Sequence, residues 1–177
     1  AMRVQPIVTN VCNMTLPTEE GGPALQTVDN VLTMFHEFGH ALHSFFRDVQ
    51  YEGTGGVERD FVELPSQINE HWASEPEVLR QYARHYQTGE VIPQELVEKI
   101  DASSKYGQGF ATVEYLAASY VDLDLHYLTE MPKKLDVMKF QAEKMRKRGM
   151  PSQILPRYSV TNFSHTMGGG YSAGYYS

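Results

Sequence analysis

The sequence predicts a mainly α-helical fold with one short strand region near the N-terminus. Apolar residues recur at helical spacing through Val28, Val31, Leu32, Phe35, Leu42 and Phe46, and again from Val113 to Leu128. Helix start and stop signals punctuate these runs, with Thr27 and Asp136 as candidate N-caps and Gly149 as a terminator. Only Arg3 to Asn13 alternates in the manner of a strand, and loosely.

The composition bounds the class. The 177 residues suit one domain with a real core, at 41% hydrophobic and 21% charged. No apolar run approaches the roughly 20 residues that span a bilayer, and no secretory leader pattern opens the sequence. Cys12 is the single cysteine, which excludes an internal disulfide and fits a reducing, cytoplasmic setting. A net charge of −7 argues against nucleic acid as a general partner.

Taken in order, Arg3 to Asn13 reads as a short strand interrupted by Pro6. It is either an ordinary structural strand or one whose free edge receives a peptide backbone. Thr15 to Pro23 is loop, marked by Pro17, Gly21, Gly22 and Pro23. The helix that follows carries His36-Glu37-x-x-His40, the helical zinc-peptidase signature. Residues four apart share a helix face, so both imidazoles reach one Zn²⁺ while Glu37 sits beside it as general base for a water. This makes the expected architecture zincin-type.

A catalytic zinc needs three protein ligands and an open position. His43 projects over His36, but seven residues of helix rise about 10.5 Å, too far for one ion with bonds of about 2 Å. The extended pattern ending in a third histidine also fails, because its last position holds Phe46. A glutamate from a second helix is the remaining common solution.

Tyr51 to Gly56 is a glycine-rich connector, and a second helix is expected from about Asp60 to Trp72, with Asp60 as its cap and Pro65 near its start. On such a helix Gln67 and Glu70 share the face of Glu63 and are candidates to orient a ligating histidine; Glu70 could equally be a paired surface carboxylate.

Here two stretches resemble the thimet oligopeptidase family of zinc peptidases. They are His36-Glu-Phe-Gly-His40-x-x-His43 and Phe61-Val-Glu-x-Pro65-Ser-Gln67-x-x-Glu70-x-Trp72. Within that family the bacterial dipeptidyl carboxypeptidases are the nearest in pattern, through Gln67 to Ala73 and Tyr82 to Gln87. The resemblance runs over nearly the whole chain. It implies that Glu63 is the third ligand of one Zn²⁺, and that the substrates are short peptides. It also implies that residues 1–177 are a single fragment of a catalytic domain, with helical segments before and after. Ala1-Met2, which reads like a cloning remnant, and an end inside the aromatic run Gly170 to Ser177 fit that expectation.

Downstream, Ser74-Glu-Pro-Glu77 reads as a capped helix start running through Tyr86 to Gly89. Pro93 opens a helix from Gln94 to about Lys105, and Gly107 to Gly109 separates it from a long amphipathic helix, Phe110 to Leu128. His85 and His126 on these helices read as surface or satisfied core residues. The helix after Asp136 carries Lys139, Lys144, Arg146, Lys147 and Arg148; cations near a helix C-terminus on a solvated face account for them without RNA or a membrane.

The final stretch, Phe163 to Tyr176, sets a glycine run between a histidine and tyrosines, which reads as a mobile loop able to approach a peptide closely. The resemblance implies that His165 and Tyr171 bind substrate or donate to the oxyanion of a tetrahedral intermediate, with Gly169, Gly170 and Tyr175 near the peptide. The expected activity is zinc-dependent release of C-terminal dipeptides. Internal cleavage of short peptides, or a truncated metal-binding module without turnover, are the alternatives.

Overall fold

The computed structural model describes residues 7–18, 20–51, 53–130 and 132–177. Among them are seven α-helices and no strand. They run α1 (Val28–Phe45), α2 (Leu64–Ser74), α3 (Pro76–Tyr82), α4 (Gln94–Ser104), α5 (Gln108–His126), α6 (Val137–Lys147) and α7 (Ser164–Met167), with a 3₁₀ turn at Val160–Asn162 before α7. The chain divides into two compact units, one ending at Glu98 and the other running from Lys99 to Ser177.

The strand expected over Arg3 to Asn13 does not form where it can be followed. Residues 3–6 lie outside the described residues, and residues 7–13 carry no strand. Alternation alone does not make a strand, which needs a partner for its backbone groups. The one β pairing among the described residues is an isolated bridge between Arg84 and Val91, and Ile7 and Val11 are 95% and 83% exposed.

In the first unit, α1 begins where the Thr27 side chain accepts a hydrogen bond from the Asn30 backbone N–H at 3.1 Å. Its contact with α2 runs through small residues, Gly39 against Ser66, both buried; Ala41 and Ala73 are buried as well. A Cβ added to Gly39 would lie 2.6 Å from the Ser66 Cα and 2.7 Å from the Pro65 carbonyl oxygen. The two backbones therefore meet at a separation that only glycine permits. Asn69 ties the crossing, its side-chain amide donating to the Phe35 carbonyl at 2.7 Å.

Three boundaries differ from the sequence reading. The second helix starts at Leu64 rather than near Asp60, because Pro65 fits the first turn, where a missing N–H costs nothing. Glu63 is consequently its N-cap residue, and the turn before it is closed by the Leu64 N–H on the Phe61 carbonyl. Ser74 ends α2 instead of capping α3, whose cap is Glu75 in extended conformation. Helix α3 stops at Tyr82 instead of reaching Gly89. The chain reverses there, with the His85 N–H on the Glu90 carbonyl at 2.8 Å and Gly89 at φ +72°, so Tyr86 sits in a turn.

In the second unit, Ala117, Val121 and Leu125 of α5 pack with Met145 of α6 and with Val160. The Asp136 side chain caps α6 by accepting from the Lys139 N–H at 3.0 Å. The cations of this basic helix are partly spent on packing. Arg148 donates to both oxygens of Asp124 on α5, at 2.7 and 3.2 Å, and its guanidinium lies 4.2 Å from the Tyr120 ring centre. Lys144 joins the same carboxylate at 3.7 Å. Among the described residues no helix is long and apolar enough to cross a membrane.

The α1–α2 crossing makes a direct prediction. Gly39→Ala must push two backbones apart, and overpacking of this kind costs about 1–3 kcal/mol. Thermal unfolding should show a clearly lowered midpoint; an unchanged midpoint would contradict the close approach.

Candidate metal centre

Helix α1 presents His36 and His40 on one face, their ring centroids 5.0 Å apart and their planes nearly perpendicular. The close crossing at Gly39, between the two histidines in sequence, brings the start of α2 against that face. Glu63 Oε2 then lies 3.2 Å from His36 Nε2 and 3.2 Å from His40 Nε2. The three ligand atoms fall within 4.8 Å of one another, the one such cluster of His, Cys, Asp or Glu among the described residues.

These residues fit a zinc ion. Tetrahedral bonds of about 2.0–2.2 Å set neighbouring ligand atoms roughly 3.3–3.6 Å apart, close to the 3.2 Å between Glu63 Oε2 and each imidazole nitrogen. Two imidazole nitrogens and one carboxylate oxygen are also a donor set that Zn²⁺ accepts. The side chains of His36, His40 and Glu63 remain 24%, 30% and 22% exposed, so the cluster keeps a side open to water.

Surrounding contacts fix these donors in place. Glu70 Oε1 lies 2.6 Å from His36 Nδ1, which leaves Nε2 as the nitrogen facing Glu63. Ser66, fully buried, lies with its hydroxyl 2.8 Å from the Glu63 carbonyl oxygen and 3.0 Å from Oε2, the oxygen the histidines face. Glu37 is half-buried on α1. At about 100° per residue it is turned roughly 60° from His40, on the flank of the cluster.

The sequence candidates distribute as follows. His36, His40, Glu63 and Glu70 come together. Gln67 lies exposed on α2, and the contact to Glu63 falls to Ser66 instead. His43 is outside the cluster, its ring 6.3 Å from that of Phe61. Gly39, Ser66 and Asn69 were not singled out from the sequence. The available signal was Gly39 itself, an isolated glycine inside a strong helical pattern.

The second unit holds His165, Gly169, Gly170, Tyr171 and Tyr175. His165 sits on α7, its ring 4.8 Å from Tyr158 and 5.6 Å from Tyr175 by centroids, and its Nδ1 is buried without a hydrogen-bond partner. Ser164, His165, Met167, Gly168, Gly169 and Tyr171 line a concavity of about 560 Å³. Gly169 is required there, because a Cβ would lie 2.8 Å from the His165 carbonyl oxygen. Gly170 takes φ +85°, and the Tyr171 N–H returns to that same carbonyl at 3.1 Å. Burial raises the Tyr175 phenol above its usual pKa, with Arg157 opposing the shift, so its hydroxyl remains a protonated donor at neutral pH.

Two histidines four apart on one helix, joined by a carboxylate at the mouth of a second, make a cluster that could hold a metal ion. The chain belongs to peptidase family M3, whose family model matches residues 2–177. It is 44% identical to dipeptidyl carboxypeptidase of Escherichia coli (strain K12) over 178 residues, 99% of this chain and 26% of that protein. It is 38% identical to oligopeptidase A of the same organism, covering 98% of this chain and 26% of the relative. Probable cytosolic oligopeptidase A of Arabidopsis thaliana is 36% identical, with 97% and 25% covered. The chain thus spans about a quarter of the length of these curated relatives.

The contacts around the cluster predict graded effects on metal affinity. Glu70→Gln and Ser66→Ala should each weaken zinc binding by about 10–100-fold without abolishing it, the usual cost of losing a group that orients a ligand. Titration against a zinc-competing chromophore measures this. Wild-type affinity in both variants would contradict the roles given to these contacts.

Proposed function

We propose that this chain is the metal-binding part of a zinc-dependent peptidase that acts on short peptides and releases dipeptides from their C-termini. The observation that carries the reading is the single oxygen of Glu63 held 3.2 Å from two imidazole nitrogens, with Glu37 next to the first histidine. His36, His40 and Glu63 would hold one Zn²⁺. Bound there, the ion supplies a Lewis acid that makes water a usable nucleophile near neutral pH. Glu37 takes the proton of the attacking water. By likeness to the family, His165 and Tyr171 donate to the oxyanion of the tetrahedral intermediate, while Tyr175, Gly169 and Gly170 contact the peptide.

The names of the relatives favour the first reading and keep a second alive. Two of the relatives are named dipeptidyl carboxypeptidase, and others are named oligopeptidase A. Internal cleavage is therefore the runner-up, and a metal-binding module without turnover is the third possibility. We place the protein in the cytoplasm on the strength of its single cysteine. Nucleic acid is not proposed as a partner, since Lys144 and Arg148 already meet Asp124.

Two experiments on the full-length protein separate these readings. Glu37→Gln keeps the shape of the side chain but not its basicity, so kcat should fall by about 10²–10⁴-fold with zinc content intact. Loss of the metal in that variant would overturn the role of Glu37. A peptide with a free C-terminus and its amidated twin test the cleavage mode. An enzyme that reads the terminal carboxylate should lose most activity on the amide, a charge-assisted hydrogen bond contributing about 1.5–3 kcal/mol. Equal rates with internal cleavage would favour the oligopeptidase reading.

A further inference from the structure

Asp122 is a carboxylate with no assigned task. It lies on α5 and is fully buried, beside Ala118, Ser119, Val121 and Leu125, which are buried on the same helix. An ionised side chain there is costly unless its oxygens are occupied. They are occupied by the backbone of the tyrosine-bearing turn. The Ala173 N–H donates to Oδ1 at 3.0 Å and the Tyr175 N–H to Oδ2 at 3.1 Å. His126, one turn further along α5, lies with Nδ1 2.8 Å from Oδ1.

The arrangement specifies a backbone shape. One carboxylate that accepts from two N–H groups two residues apart holds the intervening chain in a tight bend. Ala173 adopts φ +57°, the one non-glycine residue among those described with positive φ. Seven residues earlier, on the same face of α5, the Tyr115 hydroxyl donates to the Tyr175 carbonyl at 2.6 Å. The Ser172 hydroxyl reaches back to the Thr166 carbonyl at 2.6 Å. The run that reads in sequence as a loose glycine loop is therefore fastened to α5 on both sides of Tyr175 and to α7 through Ser172.

We propose that Asp122 is the positioning residue for the peptide-binding turn, holding Tyr171 and Tyr175 in their binding arrangement before substrate arrives. Tyr115 is the second point of the same clamp. This rests on the reading of Tyr171 and Tyr175 as peptide contacts. A displacement of such contacts by a fraction of an ångström to an ångström is enough to cost up to about 10²-fold in rate, even from a site remote from the chemistry.

The test uses the zinc-loaded full-length protein with Asp122→Asn and Tyr115→Phe. Asparagine keeps the shape and one acceptor oxygen but turns an amide N–H₂ toward a backbone N–H. Asp122→Asn should lower kcat/KM for a short peptide by about 10–100-fold, with KM raised. Tyr115→Phe should give the same pattern, smaller, and removes only one hydroxyl, so it keeps the test valid if the first variant does not fold. Zinc content should stay at the wild-type level in both. Inhibition by acetohydroxamate, a chelator too small to reach beyond a metal, should also be unchanged. Wild-type KM in both variants would overturn the proposal. So would equal losses in peptide turnover and acetohydroxamate inhibition, the mark of general damage. A wild-type protein that cleaves no peptide sinks the functional reading itself, and Tyr171→Phe and Tyr175→Phe with full activity sink the premise about the turn.

Discussion

The candidate metal centre depends on how closely α1 and α2 approach at Gly39. Helical spacing puts the two histidines on one face, but Glu63 comes from the start of another helix and must be delivered to within hydrogen-bond distance of both rings. A missing side chain does this. With the Ser66 Cα and the Pro65 carbonyl where a Cβ would stand, the start of α2 can lie against the histidine face. The shared oxygen at 3.2 Å from each imidazole follows from that approach.

Delivery is not enough, because three donors that repel or wander make a poor site. The contacts that hold them come from the same short segment of α2. Ser66 meets Glu63, Glu70 meets His36, and Asn69 binds α1 through the Phe35 carbonyl. Four of the eight residues from Glu63 to Glu70 thus serve the cluster: Glu63, Ser66, Asn69 and Glu70. A segment that supplies a ligand, its support and the helix contact leaves little room for substitution.

Much of this was legible in the sequence and some was not. The helices were readable because their period and caps are local: Thr27 and Asp136 cap as their residue types suggest. His36 and His40 were readable because one helix sets their spacing. Glu63 was reached only through family likeness, since no local rule says which distant carboxylate returns to a helix. The starts of α2 and α3 are harder to read, because Asp60 and Ser74 are good cap residues by type while the structure sets each helix to begin at or just before a proline in its first turn. The strand near the N-terminus illustrates the opposite failure, a local pattern without a partner to pair with. Asp122 was invisible for a related reason. A lone acid in an amphipathic helix looks solvated until the residues 51 and 53 positions away that fill its oxygens are known.

His36, His40 and Glu63 are expected to hold one ion between them. X-ray absorption at the zinc edge of the zinc-loaded protein tests it most directly. The expected spectrum has two imidazole nitrogens and oxygen donors, all at about 2.0–2.2 Å, with both imidazole contributions reduced together in His36→Ala, which should no longer hold the metal in this site. A sulfur shell near about 2.3 Å, or a single imidazole, would contradict it.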